Sequence, residues 1–262
     1  MPSSLLNPID TISKTADQVM SLVETLSAGF TSTTDTPINV AIGPYRRFDW
    51  VNLALEDFRT IHKAFGGSLN DVFLATVAGA VGDFLRRRGE VANAETMFRV
   101  MVPVSVRSGD EHGMPGNRVV NFLARLPIDA TDPVSRLQRT TEITRELKGS
   151  RMTQGAELKE ELSDHSLTTL LVEFVKLGAK ARAYNMVVTN VPGPPVPIYF
   201  LGAQMEEIYP LVALFSYNDR LSWGFNADWE AMPDLHDFVG LVEEEFERLL
   251  ACAQRAASES TG

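Results

Sequence analysis

The stretch from Ser68 to Gly89 constrains this chain more than any other. Leu69, Val72, Phe73, Thr76, Val77, Ala80, Val81, Phe84 and Leu85 recur at helical spacing and form a broad apolar face. A helix with so wide an apolar face has to be covered by other elements. Its ends are encoded locally. Ser68 stands at the N-cap position, and Asp71, three residues later, completes a capping box. Arg86, Arg87 and Arg88 fall in the last turn, where cations favour the helix dipole, and Gly89 stops the helix.

The elements around it alternate. Phe48 to Leu55 reads as a strand and Asp57 to Phe65 as a short helix ended by Gly66-Gly67. Phe98 to Val106 is a strand interrupted by Pro103, Ser108 to Gly116 a loop, and Asn117 to Ile128 a second strand. Pro133 to Lys148 is an amphipathic helix with proline in its first turn, and Leu158 to Ala183 holds one or two more helices. Asn185 to Val191 is a Val-rich strand. Short strands follow at Ile198–Leu201, Ala203–Ile208, Val212–Tyr217 and Leu221–Ala227. Asn218-Asp219 joins the last two as a tight hairpin, because both residues tolerate positive φ. Pro233 opens a final helix to about Ala257. The pattern predicts an α/β class, a mixed sheet with helices packed on it. It divides the chain into an N-terminal helical appendage and linker over 1–35, a main domain over 36–256, and a disordered tail over 257–262.

At 262 residues, with 44% hydrophobic and 22% charged, the chain can bury a sizeable core. A net charge of -10 argues against nucleic acid as a partner. The single cysteine, Cys252, excludes an intrachain disulfide and reads as a small apolar helix residue. No apolar run approaches the roughly 18–20 residues of a membrane span, and no secretory signal opens the chain. The expected location is the cytoplasm, or peripheral contact with a membrane or lipid body.

Complete catalytic sets are missing. The histidines, His62, His112, His165 and His236, have no metal-ligand spacing, so no metal site is expected. Ser163-Asp164-His165 carries triad residue types, but adjacent residues point apart. No Gly-rich phosphate loop is present. Glu243-Glu244-Glu245 reads as a solvated helix face, and Trp223, Phe225 and Trp229 read as core, with the wall of a lipid tunnel as the alternative.

Several blocks then stand in one order: Thr36-Pro-Ile-Asn39, Gly43-Pro-Tyr-Arg-Arg47, Ser68-Leu-Asn-Asp-Val-Phe-Leu-Ala75, Val102-Pro-Val-Ser-Val-Arg107, Gly116-Asn-Arg118, Asn190-Val-Pro-Gly-Pro194 and Ser216-Tyr-Asn-Asp-Arg-Leu-Ser222. Together they resemble the C-terminal domain of bacterial wax ester synthase/diacylglycerol acyltransferases, from about Thr36 to about Leu250. The resemblance implies one half of a CoA-dependent acyltransferase-like, two-domain fold, with acyl-CoA as substrate and no cofactor. The family's reaction joins an acyl group to a long-chain alcohol or diacylglycerol. Its catalytic motif, His-His-x-x-x-Asp-Gly, belongs to the N-terminal half, and no His-His pair occurs in this sequence. The resemblance therefore implies a chain that begins where the second half begins, is inactive alone, and associates with an N-terminal half or with itself. By the same resemblance Asn70 and Asp71 face the catalytic channel as supporting residues. Arg107 anchors the two halves, and Asn190, Pro192, Gly193 and Pro194 wall the substrate channel. The bland readings stand beside these: Asp71 as a cap, Arg107 as an exposed strand end, and Asn190–Pro194 as a rigid turn. A binding or scaffold module that keeps the fold without the chemistry is the alternative function.

Overall fold

The computed structural model describes residues 33–105, 119–161, 183–211 and 213–259. Strand β1 (Arg46–Ala54) leads into helix α1 (Leu55–Phe65) and the long helix α2 (Leu69–Arg87). Strands β2 (Arg99–Ser105) and β3 (Val119–Arg125) precede helix α3 (Pro133–Glu161). Short strands β4 (Met186–Val187), β5 (Asn190–Val191), β6 (Tyr199–Phe200) and β7 (Ala203–Gln204) follow. Strands β8 (Leu214–Tyr217) and β9 (Arg220–Asp228) and helix α4 (Leu235–Glu259) complete the described chain.

The strands form a mixed arrangement, as expected. One sheet runs β1-β9-β8-β5 and another β3-β2-β4, while β6-β7 is a separate ribbon. The pairs β2-β4 and β5-β8 are parallel and the others antiparallel. The expected single strand over 185–191 is instead split. Met186 and Val187 pair with β2, and Asn190 and Val191 pair with β8, so this run joins the two sheets. Pro103 does not end β2: its parallel partner pairs only with Val100 and Met101, so the missing N–H falls beyond that ladder.

Helix α2 is buried along nearly its whole length, from Asp71 to Leu85. Phe73 packs on Trp223 of β9 at 3.8 Å between ring centroids, and Phe84 meets Phe238 of α4 edge-on at 5.3 Å. Phe58 of α1 lies 4.5 Å from Phe246 of α4. Both predicted ends of α2 are present, including the reciprocal Ser68–Asp71 box and a positive φ at Gly89. The Asn218-Asp219 turn has φ of 45° and 62°, as a tight hairpin with right-handed twist requires.

Other expectations change. Trp223 and Phe225 are core, but Trp229 is half exposed, with the Arg47 guanidinium 3.6 Å over its ring. The helix expected to stop at Lys148 runs on to Glu161, and the last helix runs to Glu259, past the expected start of the tail at 257. The appendage up to residue 32, the Ser108–Gly116 loop, residues 162–182 with Ser163-Asp164-His165, and 260–262 lie outside the described residues.

Candidate functional site

The site is built at the start of α2. Gly66 and Gly67, both at positive φ, turn the chain from α1 into Ser68. The Asp71 carboxylate accepts the Ser68 N–H at 2.7 Å and the Ser68 hydroxyl at 2.8 Å on one oxygen. Its other oxygen accepts the Thr144 hydroxyl of α3 at 2.6 Å. Asp71 is buried, and both oxygens are engaged in holding the helix start and its neighbour.

Asn70, between these two anchors, is different. Among the described residues none hydrogen-bonds its side chain. It is half-buried and opens onto a groove. The groove is walled by Asn70 and Leu74 of α2 and by Thr144, Leu147 and Lys148 of α3, with Val102, Phe122 and Ala124 of β2 and β3 beneath. The groove is shallow and about half open to solvent, and its shielded part has room for about one water molecule. Lys148 is exposed at its rim and makes no ion pair with a described residue. An apolar trough with one amide and one cation on its walls suits an amphiphile with a polar or anionic end.

The other sequence-derived candidates lie elsewhere. Asn190–Pro194 is not part of the groove wall; it lies along β8. The Gly193 N–H donates to the Ser216 hydroxyl at 3.0 Å, and the Asn218 N–H to the Pro194 carbonyl at 3.3 Å. A Cβ at Gly193 would stand 2.1 Å from the Ser216 carbonyl oxygen, so only glycine allows this approach. Two of the ordered blocks thus meet each other. A third, at Asn39, accepts the Asn185 amide at 2.5 Å. Arg107, His112 and His165 lie outside the described residues. The described histidines are on the surface. His62 Nδ1 lies 2.5 Å from the Gly67 carbonyl oxygen, and His236 Nδ1 lies 2.7 Å from Asp49, whose carboxylate raises the His236 pKa. Cys252 is half-buried with the Arg255 guanidinium 3.3 Å from its sulfur. Among the described residues no cluster of His, Cys, Asp or Glu is arranged to hold a metal.

Behind the groove is an ion network that the sequence reading missed. Glu245, expected on a solvated face, is 2% exposed and paired with Arg136, also 2% exposed. Arg136 donates to the carbonyls of Ala75 at 3.0 Å and Ala130 at 2.9 Å. Arg248 bridges Glu245 at 2.6 Å to Asp83 at 3.1 Å. Burial pushes the Glu245 carboxyl upward, against the pull of the two guanidiniums. Gly79 makes the room: a Cβ there would lie 2.4 Å from Glu245 Oε2. The network fixes α3 and α4 against α2. Two local signals point to it, a glycine inside an apolar helix and the helical spacing of Glu245 from Leu241 and Leu249; the partners, 109 residues apart, are not legible.

Comparison with known proteins matches this chain to two models of one family. The WS/DGAT C-terminal domain matches residues 115–250, and the wax ester synthase/diacylglycerol acyltransferase catalytic domain matches residues 1–73. The expectation of a C-terminal domain alone is therefore not confirmed, since the first 73 residues match the catalytic-domain model. The O-acyltransferase WSD of Acinetobacter baylyi is 30% identical over 228 residues, 80% of this chain and 47% of the relative. A protein of Mycobacterium tuberculosis named a probable diacylglycerol O-acyltransferase is 29% identical over 243 residues, 88% of this chain and 52% of the relative. The chain spans about half the length of these relatives. The solved wax ester synthase/diacylglycerol acyltransferase of Marinobacter aquaeolei VT8 superposes with a TM-score of 0.67 at 24% identity, over 97% of this chain and 60% of that one.

Proposed function

Because the chain belongs to the wax ester synthase/diacylglycerol acyltransferase family, we propose that it contributes the Asn70 groove to a long-chain O-acyltransferase. In this reading acyl-CoA and a long-chain alcohol or diacylglycerol give a wax ester or triacylglycerol and free CoA. The acceptor hydroxyl oxygen forms a bond to the acyl carbonyl carbon and the C–S bond breaks. The hydroxyl proton passes through a general base to the departing CoA thiolate. The observation that carries the reading is the Asn70 amide, which has no hydrogen-bond partner among the described residues and opens into an apolar groove with a cation at its rim. The amide orients a hydroxyl or a base, the apolar floor accepts alkyl chain, and Lys148 attracts the anionic end of acyl-CoA.

No His-His pair is present in the 262 residues, so the base comes from a partner half that carries His-His-x-x-x-Asp-Gly. Arg107 anchors that half, and Asn190–Pro194 stiffens the channel wall. Exposed apolar surface supports such an association, or self-association: Tyr199, Phe200 and Leu201 of the β6-β7 ribbon are 61%, 70% and 93% exposed. Among the described residues no single helix is long and apolar enough to cross a membrane. In this proposal the lipid acceptors are reached by peripheral contact with a membrane or lipid body.

The test supplies purified chain with palmitoyl-CoA and hexadecanol or diacylglycerol and follows free thiol. The expected result is no acceptor-dependent release from the chain alone and release once a His-His-x-x-x-Asp-Gly half is supplied. Acceptor-dependent turnover by the chain alone overturns the proposed division of labour. The lack of a His-His pair favours a second reading, a non-catalytic binding module. That reading expects palmitoyl-CoA binding without turnover under every condition.

A further inference from the structure

We propose that Thr144 is a positioning residue for the groove: it fixes the first turn of α2 so that the Asn70 amide faces the bound acyl-CoA. The inference rests on the acyl-CoA reading above. Thr144 is 7% exposed and belongs to the groove wall with Asn70. Its hydroxyl has one proton and two acceptors in reach, Asp71 Oδ1 at 2.6 Å and the Thr141 carbonyl oxygen at 3.1 Å. The shorter, charge-assisted bond takes the proton. Asp71 then holds Ser68 through its other oxygen, and Asn70 is clamped between the two residues.

The first turn of a helix has no preceding turn to hold it, so its geometry depends on such contacts. Here the contact comes from 73 residues away, on a helix whose own register is set elsewhere. Arg136, two turns earlier on α3, donates to the Ala75 carbonyl one turn further along α2. The two helices are thus tied at two points, Arg136 to Ala75 and Thr144 to Asp71. A slide or rotation of α3 would break both. Among the described residues none hydrogen-bonds Asn70, so its amide is placed through the backbone turn that this clamp holds.

Thr144→Val keeps the shape and removes the hydroxyl, whereas Thr144→Ser keeps the hydroxyl. Both are compared with wild type, Asn70→Ala and the Thr144→Val/Asn70→Ala double variant. Palmitoyl-CoA affinity is measured by calorimetry, and backbone amide exchange is followed along α2. Thr144→Val is expected to weaken palmitoyl-CoA binding about tenfold and to speed exchange at Val72–Leu74, with Val77–Leu85 unchanged. Thr144→Ser stays within about twofold of wild type, because the hydroxyl contact survives. The double variant binds no more weakly than Asn70→Ala, because Thr144 acts through Asn70. Full affinity in Thr144→Val, no rescue by serine, or additive losses in the double variant overturn the role of Thr144. A wild-type chain that fails to bind palmitoyl-CoA overturns the acyl-CoA reading instead.

Discussion

Removing the Glu245 carboxylate is the sharpest perturbation available behind the site. Arg136 and Glu245 are each 2% exposed, so neither charge has water to fall back on. Glu245→Ala leaves the Arg136 guanidinium with its two carbonyl acceptors, Ala75 and Ala130, and removes its ion-pair partner, so that only the field of Asp83 remains as counter-charge. Stranding one member of a buried pair costs about 3–5 kcal/mol. For a chain of this size each kcal/mol shifts the melting temperature by roughly 2–4 °C, so a fall of about 6–20 °C is expected. A second variant separates charge from packing. Arg136→Met with Glu245→Leu replaces the pair by apolar groups of similar volume and should recover most of the loss. Thermal melts and urea titrations of both variants are the assay. A cost below about 1 kcal/mol for Glu245→Ala, within the range of an exposed ion pair, would refute the claim that this pair is dry.

Three further outcomes follow from the geometry. Gly193→Ala should destabilise by about 1–3 kcal/mol in a urea titration, because its Cβ would lie 2.1 Å from the Ser216 carbonyl oxygen and 2.5 Å from the Phe215 ring. Phe73→Ala should cost about 3–5 kcal/mol, because Phe73 is fully buried against Trp223. His236, raised by its hydrogen bond to Asp49, should titrate above an ordinary histidine in NMR and return toward it in Asp49→Asn. A raised histidine contributes stability that is present below its unfolded-state pKa and lost as pH rises through its folded-state value, so any stabilisation from this pair declines toward alkaline pH.

The amino-acid sequence by itself determined the features that depend on a few neighbouring residues. The Ser68–Asp71 box, the stop at Gly89 and the Asn218-Asp219 hairpin were all legible, because caps and tight turns are decided within about four residues. The ordered blocks carried the family in the same way, as local strings. Asn70 was legible as a candidate only through those blocks, since nothing in its own surroundings along the chain distinguishes it. Only the tertiary structure decided what each polar residue meets. Helical spacing from Leu241 and Leu249 sets Glu245 apart from its exposed neighbours Glu243 and Glu244, but it does not reveal that Arg136 waits on the inner side. Thr144 is one threonine among several on α3 until the fold brings it to Asp71. Asn190–Pro194 reads as a rigid turn or a channel wall, and only the fold shows that it is braced against β8. The physical reason is common to all three. A charge or hydroxyl buried without a partner is costly, so its partner must exist, but folding chooses that partner from anywhere in the chain.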